Sequence, residues 1–197
     1  SYNGWTYEWQ AGRQLKKMAK SGTTAEYTYD HNGLRVRKVV NGVATEYMLH
    51  GKLVTGVKKG SDILKITYDA QSRPAMVKYN GTWYGYVHNL QGDIVGILDN
   101  TGAEVVKYTY DAWGKVLSVS GSKAGTLGKA NPFRYRGYVY DEETGLYYLR
   151  SRYYDPEWGR FINADVVLGS GGLLSHNVFA YCENKPIRHI DLSLIHI

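Results

Sequence analysis

An all-β chain is predicted, a meander of antiparallel hairpins forming a curved open sheet. Two compositional observations and one pattern predict it. Of 197 residues, 19 are Tyr and 5 are Trp against only 3 Phe, and 23 are Gly against 4 Pro. Tyr and Trp favour the pleated, half-buried surface of a strand, and Gly favours turns. The pattern is the dipeptide Tyr-Asp, which recurs at Tyr29-Asp30, Tyr68-Asp69, Tyr110-Asp111, Tyr140-Asp141 and Tyr154-Asp155. An aromatic content of 14% argues against disorder, and no apolar run approaches the roughly 20 residues of a membrane-spanning helix.

Each repeat has the form aromatic-x-aromatic-Asp/Asn-x-x-Gly-charged-x-apolar. It is clearest at Tyr27 to Val36 and Tyr108 to Val116, with Ser72 replacing the glycine at Ile66 to Arg73. Weaker copies begin at Tyr7, Tyr86 and Ile97. Residues i and i+2 of a strand share a face, so Tyr27 and Tyr29 belong together. The following Asp bonds backbone two residues on and starts a turn, and the Gly supplies positive φ. The alternation of Leu34-Arg35-Val36-Arg37-Lys38-Val39 returns as the next strand. The aspartates therefore read as turn residues and not as catalytic ones. Gly12 to Lys20 is compatible with a helix, but Trp9 and Gly12 place it in a repeat and favour a strand.

Residues 1–117 form the repeat array. Ser118 to Asn131, rich in Ser, Gly, Lys and Ala, reads as a surface loop over 118–130. A distinct block occupies 131–191, in which Leu173 to Glu183, after the glycines at 169–172, is long enough for one short helix. Net charge is +6, but the basic residues are dispersed, with no run longer than Lys16-Lys17 or Lys58-Lys59. This predicts a solvated basic surface and no specific nucleic-acid partner. Cys182 is the sole cysteine, which excludes an internal disulfide framework, and the six histidines lack metal-ligand spacing. No metal or cofactor is expected, and no signal peptide opens the chain.

The 131–191 block begins Asn131-Pro-Phe-Arg-Tyr-Arg-Gly-Tyr-Val-Tyr-Asp141 and continues through Tyr147-Tyr148, Tyr153-Tyr154-Asp155-Pro156 and Gly159-Arg160-Phe161-Ile162 to Asp165. It closely resembles the Rhs repeat-associated core domain, and the upstream units resemble YD repeats, so the resemblance covers nearly the whole chain. The resemblance implies a large secreted or cell-surface bacterial protein whose repeats wind into a hollow shell around a C-terminal toxin. On the same resemblance, the core block is expected to form a plug that closes the shell. It also implies intramolecular aspartyl-protease-like self-cleavage, whose residues here would be Asp165, Asp191 and Arg160. The later family motif carries over onto Asn177, Tyr181, Asn184, Pro186, Ile187 and Asp191. Two carboxylates held together share a proton, so one can activate water while the other polarises a carbonyl. Val166, Lys185 and Leu192 depart from the family pattern. The expected partners are the remaining repeats and the toxin of the same polypeptide. A second reading is an adhesive module whose exposed Tyr and Trp faces stack on cell-wall glycans. Leu192 to Ile197 fits neither repeats nor core. The codons of a transposon mosaic-end adapter translate to this hexapeptide, so 192–197 reads as a non-native tail.

Overall fold

A computed structural model describes residues 3–164 and 179–187. Twelve strands follow one another in a single antiparallel sheet whose spatial order is the chain order. They are β1 (Thr6–Gln10), β2 (Gln14–Lys20), β3 (Thr23–Tyr29), β4 (Arg35–Val40), β5 (Val43–His50), β6 (Leu53–Lys59), β7 (Asp62–Tyr68), β8 (Pro74–Tyr79), β9 (Thr82–His88), β10 (Ile94–Leu98), β11 (Glu104–Tyr110) and β12 (Val116–Ser120). A second antiparallel sheet, also in chain order, contains β13 (Val139–Asp141), β14 (Leu146–Leu149), β15 (Arg152–Asp155) and β16 (Arg160–Phe161). The meander is thus as the repeats predict, and the twelve-stranded sheet is open. The segment Gln14–Lys20 is a strand, as its place in a repeat requires.

The two ends of the large sheet differ. Wide turns begin at Asp30, Asp69, Asn89, Asp99 and Asp111. In each, the side-chain oxygen accepts the backbone N–H groups two and four residues on, as from Asn32 and Leu34 to Asp30, both at 2.9 Å. Four of the five follow odd-numbered strands, so they line one end of the meander. Tight turns occupy the other end. Asn41-Gly42 and Asn80-Gly81 have both central φ angles positive (48° and 83°; 45° and 94°), the geometry that matches strand twist in two-residue hairpins.

Bulges interrupt the ladders at the wide-turn end of the sheet, at Trp9, Tyr29, Leu49, Tyr68 and Tyr110. A bulge frees a backbone group from the ladder. The second aromatic of the next repeat satisfies it. Tyr29 Oη donates to the Leu15 carbonyl at 2.9 Å, Tyr68 Oη to Val54 at 2.7 Å, and Tyr110 Oη to Ile94 at 2.6 Å. His88 takes the same position, its Nε2 lying 2.7 Å from the Pro74 carbonyl. Leu15, Val54, Pro74 and Ile94 are each the residue paired at a neighbouring irregular step.

The expectation of a surface loop over 118–130 is corrected. Ser118 to Ser120 complete β12, and Ala124–Gly128 forms a helical turn with Leu127 and Gly128 buried. Burial of Leu127 against the sheet and donation from Tyr108 Oη to the Gly128 carbonyl (2.8 Å) fix this turn. Of the expected helix between Leu173 and Glu183, only its last residues are described, and Cys182–Asn184 is a single 3-10 turn. The tail 192–197 lies outside the described residues.

The small sheet packs on one face of the large one. A single apolar cluster runs from Leu15 and Met18 of β2 through Tyr27, Tyr47, Val77 and Val106 to Val139, Leu146, Tyr148 and Tyr153 of the C-terminal block. The repeat tyrosines point into this cluster, Tyr27, Tyr84 and Tyr108 being buried. A fully buried ring of this size contributes roughly 1.5–3 kcal/mol through removal from water.

Candidate functional site

The chemistry-bearing feature of the described residues is the seam between the large sheet and the C-terminal block. Its first part is a buried charge cluster. Arg35, which pairs with Tyr29 as Pro74 pairs with Tyr68 and Val116 with Tyr110, sends Nη1 and Nη2 to the two oxygens of Asp141 at 2.5 and 2.9 Å. Lys38, on the same strand, bridges Asp141 (3.0 Å) and Glu143 (2.6 Å), and Lys59 of β6 closes on Glu143 at 2.7 Å. The Arg35 guanidinium also lies over the rings of Tyr148 (4.4 Å) and Tyr47 (4.9 Å). Burial alone would push the Asp141 carboxyl up, but the Arg35 and Lys38 charges hold it below its ordinary value. Glu143 is likewise penalised by burial, yet Lys38 and Lys59 bring it down to about 2.

Asp141 therefore departs from the turn role expected of every Tyr-Asp aspartate. It ends β13, and its side chain turns into the seam because Arg35 and Lys38 stand opposite. The basic residues of two other copies stand one position earlier, where this copy has Leu34, and behave differently. Arg73 pairs with Asp69 of its own turn at 2.8 Å, and Lys115 reaches Glu157 at 2.7 Å, both largely in solvent.

The second part of the seam is a clamp on one turn. Tyr135, Tyr154 and Tyr147 donate their hydroxyls to the successive carbonyls of Ala112, Trp113 and Gly114, at 3.2, 2.8 and 2.7 Å. Gly114 (φ +86°) has no room for a side chain, since a Cβ there would lie 2.5 Å from the Tyr135 ring. Gly159 lies equally close under Trp113, a Cβ there falling 2.8 Å from its ring. Further along, the Asn89 turn is read by the Arg136 N–H on Asp93 (2.9 Å) and by the Arg134 carbonyl on the Ile94 N–H (3.1 Å). Tyr148 Oη accepts the Arg35 N–H at 2.9 Å beside the Asp30 turn. The block thus touches three of the four wide turns at that end.

The opening motif Asn131-Pro-Phe-Arg134 anchors the block's entry. Buried Arg134 lies over the Tyr108 ring (4.3 Å) and donates to the carbonyls of Gly128 (2.6 Å), Asn131 and Phe133. Asn131 accepts from Tyr86 Oη at 2.7 Å and donates to the Phe133 carbonyl at 2.8 Å.

Of the residues the resemblance assigns to self-cleavage, Asp165 and Asp191 lie outside the described residues. Arg160 is exposed on β16 and makes no ion pair among the described residues; its guanidinium lies 5.3 Å from the centre of the Phe179 ring. Sequence reasoning missed the seam. The signal available was that two tyrosine pairs, Tyr147-Tyr148 and Tyr153-Tyr154, carry both faces of a strand as aromatic, which a one-sided sheet does not need.

The family model described as Teneurin YD-shell matches residues 57–181. The tRNA nuclease WapA of Bacillus subtilis (strain 168) is 40% identical over 94% of this chain and 8% of its own length. Toxin protein Tse5 of Pseudomonas aeruginosa is 51% identical over 62 residues, 32% of this chain and 4% of that protein. The crystal structure of TcdB2-TccC3-Cdc42 superposes with a TM-score of 0.74 at 19% identity, over 95% of this chain and 10% of that one. This chain therefore spans about a twelfth of the length of the WapA protein it matches. The family match covers more than half of the chain, in agreement with the repeats and the core block: the chain belongs to the Teneurin YD-shell family, as an Rhs/YD-repeat protein.

Proposed function

We infer that the chain is a wall segment and closing block of a shell, within a much larger polypeptide that encloses and delivers a C-terminal toxin. The observation that carries this reading is the seam. A block held by a buried charge cluster and a three-carbonyl clamp is built to stay docked on the inner, tyrosine-bearing face of the sheet. Relatives named as a tRNA nuclease and as a toxin protein support a toxic cargo elsewhere in the polypeptide. Secretion or surface display and a role between competing bacteria follow the same reading. Among the described residues no helix is long and apolar enough to cross a membrane.

Self-cleavage belongs to the proposal. Asp165 and Asp191 would form the carboxylate pair, with Arg160 orienting one of them. The parent polypeptide with its natural flanks tests both parts in one experiment. Wild type should yield a cut cargo that resists protease; Asp165→Asn should leave the chain uncut but the cargo protected. Asp141→Ala, which breaks the seam, should expose the cargo to protease. Unchanged cleavage in Asp165→Asn removes the proposed dyad, and unchanged protection in Asp141→Ala removes the closing role of the block.

A further inference from the structure

The face of the large sheet that the block leaves open carries its own pattern. Tyr47, Val57, Leu64, Val77 and Tyr84 are buried on the block side, so the residues beside them in β5 to β9 point outward. Met48, Gly56, Lys65, Lys78 and Trp83 form one row of directly paired residues across these five strands. Lys58 and Ile63, paired with each other, flank the row on one side and Met76 on the other. Lysines 58, 65 and 78, dispersed in the sequence, are thus neighbours in the sheet. Asp62, the single carboxylate within β6 to β9, shares the face of Leu64 and accepts from Tyr79 Oη and the Asn80 side chain. Glu46, opposite Arg37 and Lys58, offsets one charge at the β5 margin.

Two features of this face are unfavourable in the free chain. Lys65 stands directly opposite Lys78, and like charges so placed destabilise a sheet. Lys58 and Lys65 make no ion pair among the described residues, and Lys78 lies 5.7 Å from the centre of the Trp83 ring. The second feature is apolar: Met48, Ile63, Met76 and Trp83 are 48, 43, 42 and 39% exposed. A contiguous exposed apolar patch among charged residues marks an interaction surface. The partner that relieves both features offers anionic groups and an apolar phase together. Trp83 is the one outward aromatic of β5 to β9, since Tyr68, Tyr79 and Tyr86 pack against the core on the block side. Single-stranded nucleic acid is held by successive aromatic platforms, and Met48, Ile63 and Met76 give a base no ring to stack upon. A bilayer surface supplies both needs. Its phosphate headgroups meet the ammonium groups, and its interfacial layer takes the Trp ring with the indole N–H left wet.

We propose that the outward face of β5 to β9 docks on an anionic lipid surface, with Lys58, Lys65 and Lys78 against the headgroups and Met76 and Trp83 inserted among them. The block occupies the opposite face, so this reading and the shell-closing role can fail independently. The test is flotation of the 197-residue chain with vesicles of phosphatidylcholine containing about one-third phosphatidylglycerol, at about 0.15 M salt, where attraction between distant exposed charges is largely screened. Binding is expected to these vesicles and not to phosphatidylcholine alone. A lysine near an anionic surface contributes about fivefold in affinity, so Lys58→Gln with Lys65→Gln should weaken binding about tenfold or more. Lys16→Gln with Lys129→Gln removes the same charge at exposed positions elsewhere and should leave binding within about twofold. Trp83→Ala should weaken it about fivefold or more, through the apolar area no longer buried. Lys65→Gln removes the like-charge opposition, so thermal stability should hold or rise, and binding lost there is not a lost fold. Absence of binding to the anionic vesicles overturns the proposal, as does equal weakening by the two lysine pairs or full binding by Trp83→Ala. Release of the chain from the vesicles by a single-stranded oligonucleotide at comparable phosphate concentration also overturns it, since the face would then be one for nucleic acid.

Discussion

Asp141 is wholly buried between Arg35 and Lys38, and its charge exists there only because theirs does. Taking a carboxylate out of water is costly, and its partners repay that cost only when the geometry is good. Here the Arg35 contact is two-pronged and Lys38 supplies a third donor, so the carboxyl stays below its ordinary range; Glu143 is pulled to about 2. A carboxyl whose folded pKa lies below the unfolded value of about 4 contributes its full stability only above that value. The contribution shrinks as pH falls below about 4 and is gone beneath the folded pKa. Denaturant unfolding measured from pH 5 down to 2 should therefore show falling stability, and Glu143→Gln should flatten part of that slope. An unchanged slope would remove Glu143 from the seam. One local difference marks Asp141: Gly145 follows it by four residues, where Gly33 and Ser72 follow Asp30 and Asp69 by three. The residue that decides its role, Arg35, is 106 positions away.

At the scale of the element, the wide turn was legible and its capping was not. An Asp or Asn followed three residues later by Gly specifies a side-chain-to-backbone turn whatever the neighbours do, and the five turns at Asp30, Asp69, Asn89, Asp99 and Asp111 repeat it, with Ser72 taking the glycine's place at positive φ. The tyrosine before the Asp looked like simple strand packing. Its hydroxyl instead caps a carbonyl set free at a neighbouring bulge, and bulges leave no trace in hydrophobic alternation. The Trp113-Gly114 turn adds a tertiary constraint to the local one. Gly114→Ala should destabilise by about 2 kcal/mol or more, because positive φ and contact with the Tyr135 ring act together. Gly125→Ala, where a Cβ meets nothing within 4 Å and φ is not positive, should change little. Tyr147→Phe should cost about 1 kcal/mol, the net worth of its bond to the Gly114 carbonyl. Thermal unfolding of the three variants checks the ranking, and equal effects at Gly114 and Gly125 would contradict the clamp.

For the whole molecule, one open sheet and one docked block share one apolar cluster, a second cluster around Tyr147, Tyr154 and Phe161 sits in the block against Tyr110 and Trp113, and the seam makes them one unit. The meander order could be read from the repeats because every connection is a short turn between neighbours. The docking could not, because it depends on contacts between residues about 100 apart, such as Lys38 with Glu143 and Arg35 with Tyr148. The central claim is that the block is held on the sheet by the buried Arg35–Asp141 pair. A double-mutant cycle in denaturant unfolding, using Arg35→Met, Asp141→Leu and both together, tests it most directly. Asp141→Leu strands Arg35, and Arg35→Met leaves Asp141 only Lys38, so each single variant should lose about 3–5 kcal/mol, while the double variant should recover much of that loss. The predicted coupling is about 2–3 kcal/mol. Single losses that simply add, with coupling near zero, would contradict the docked arrangement.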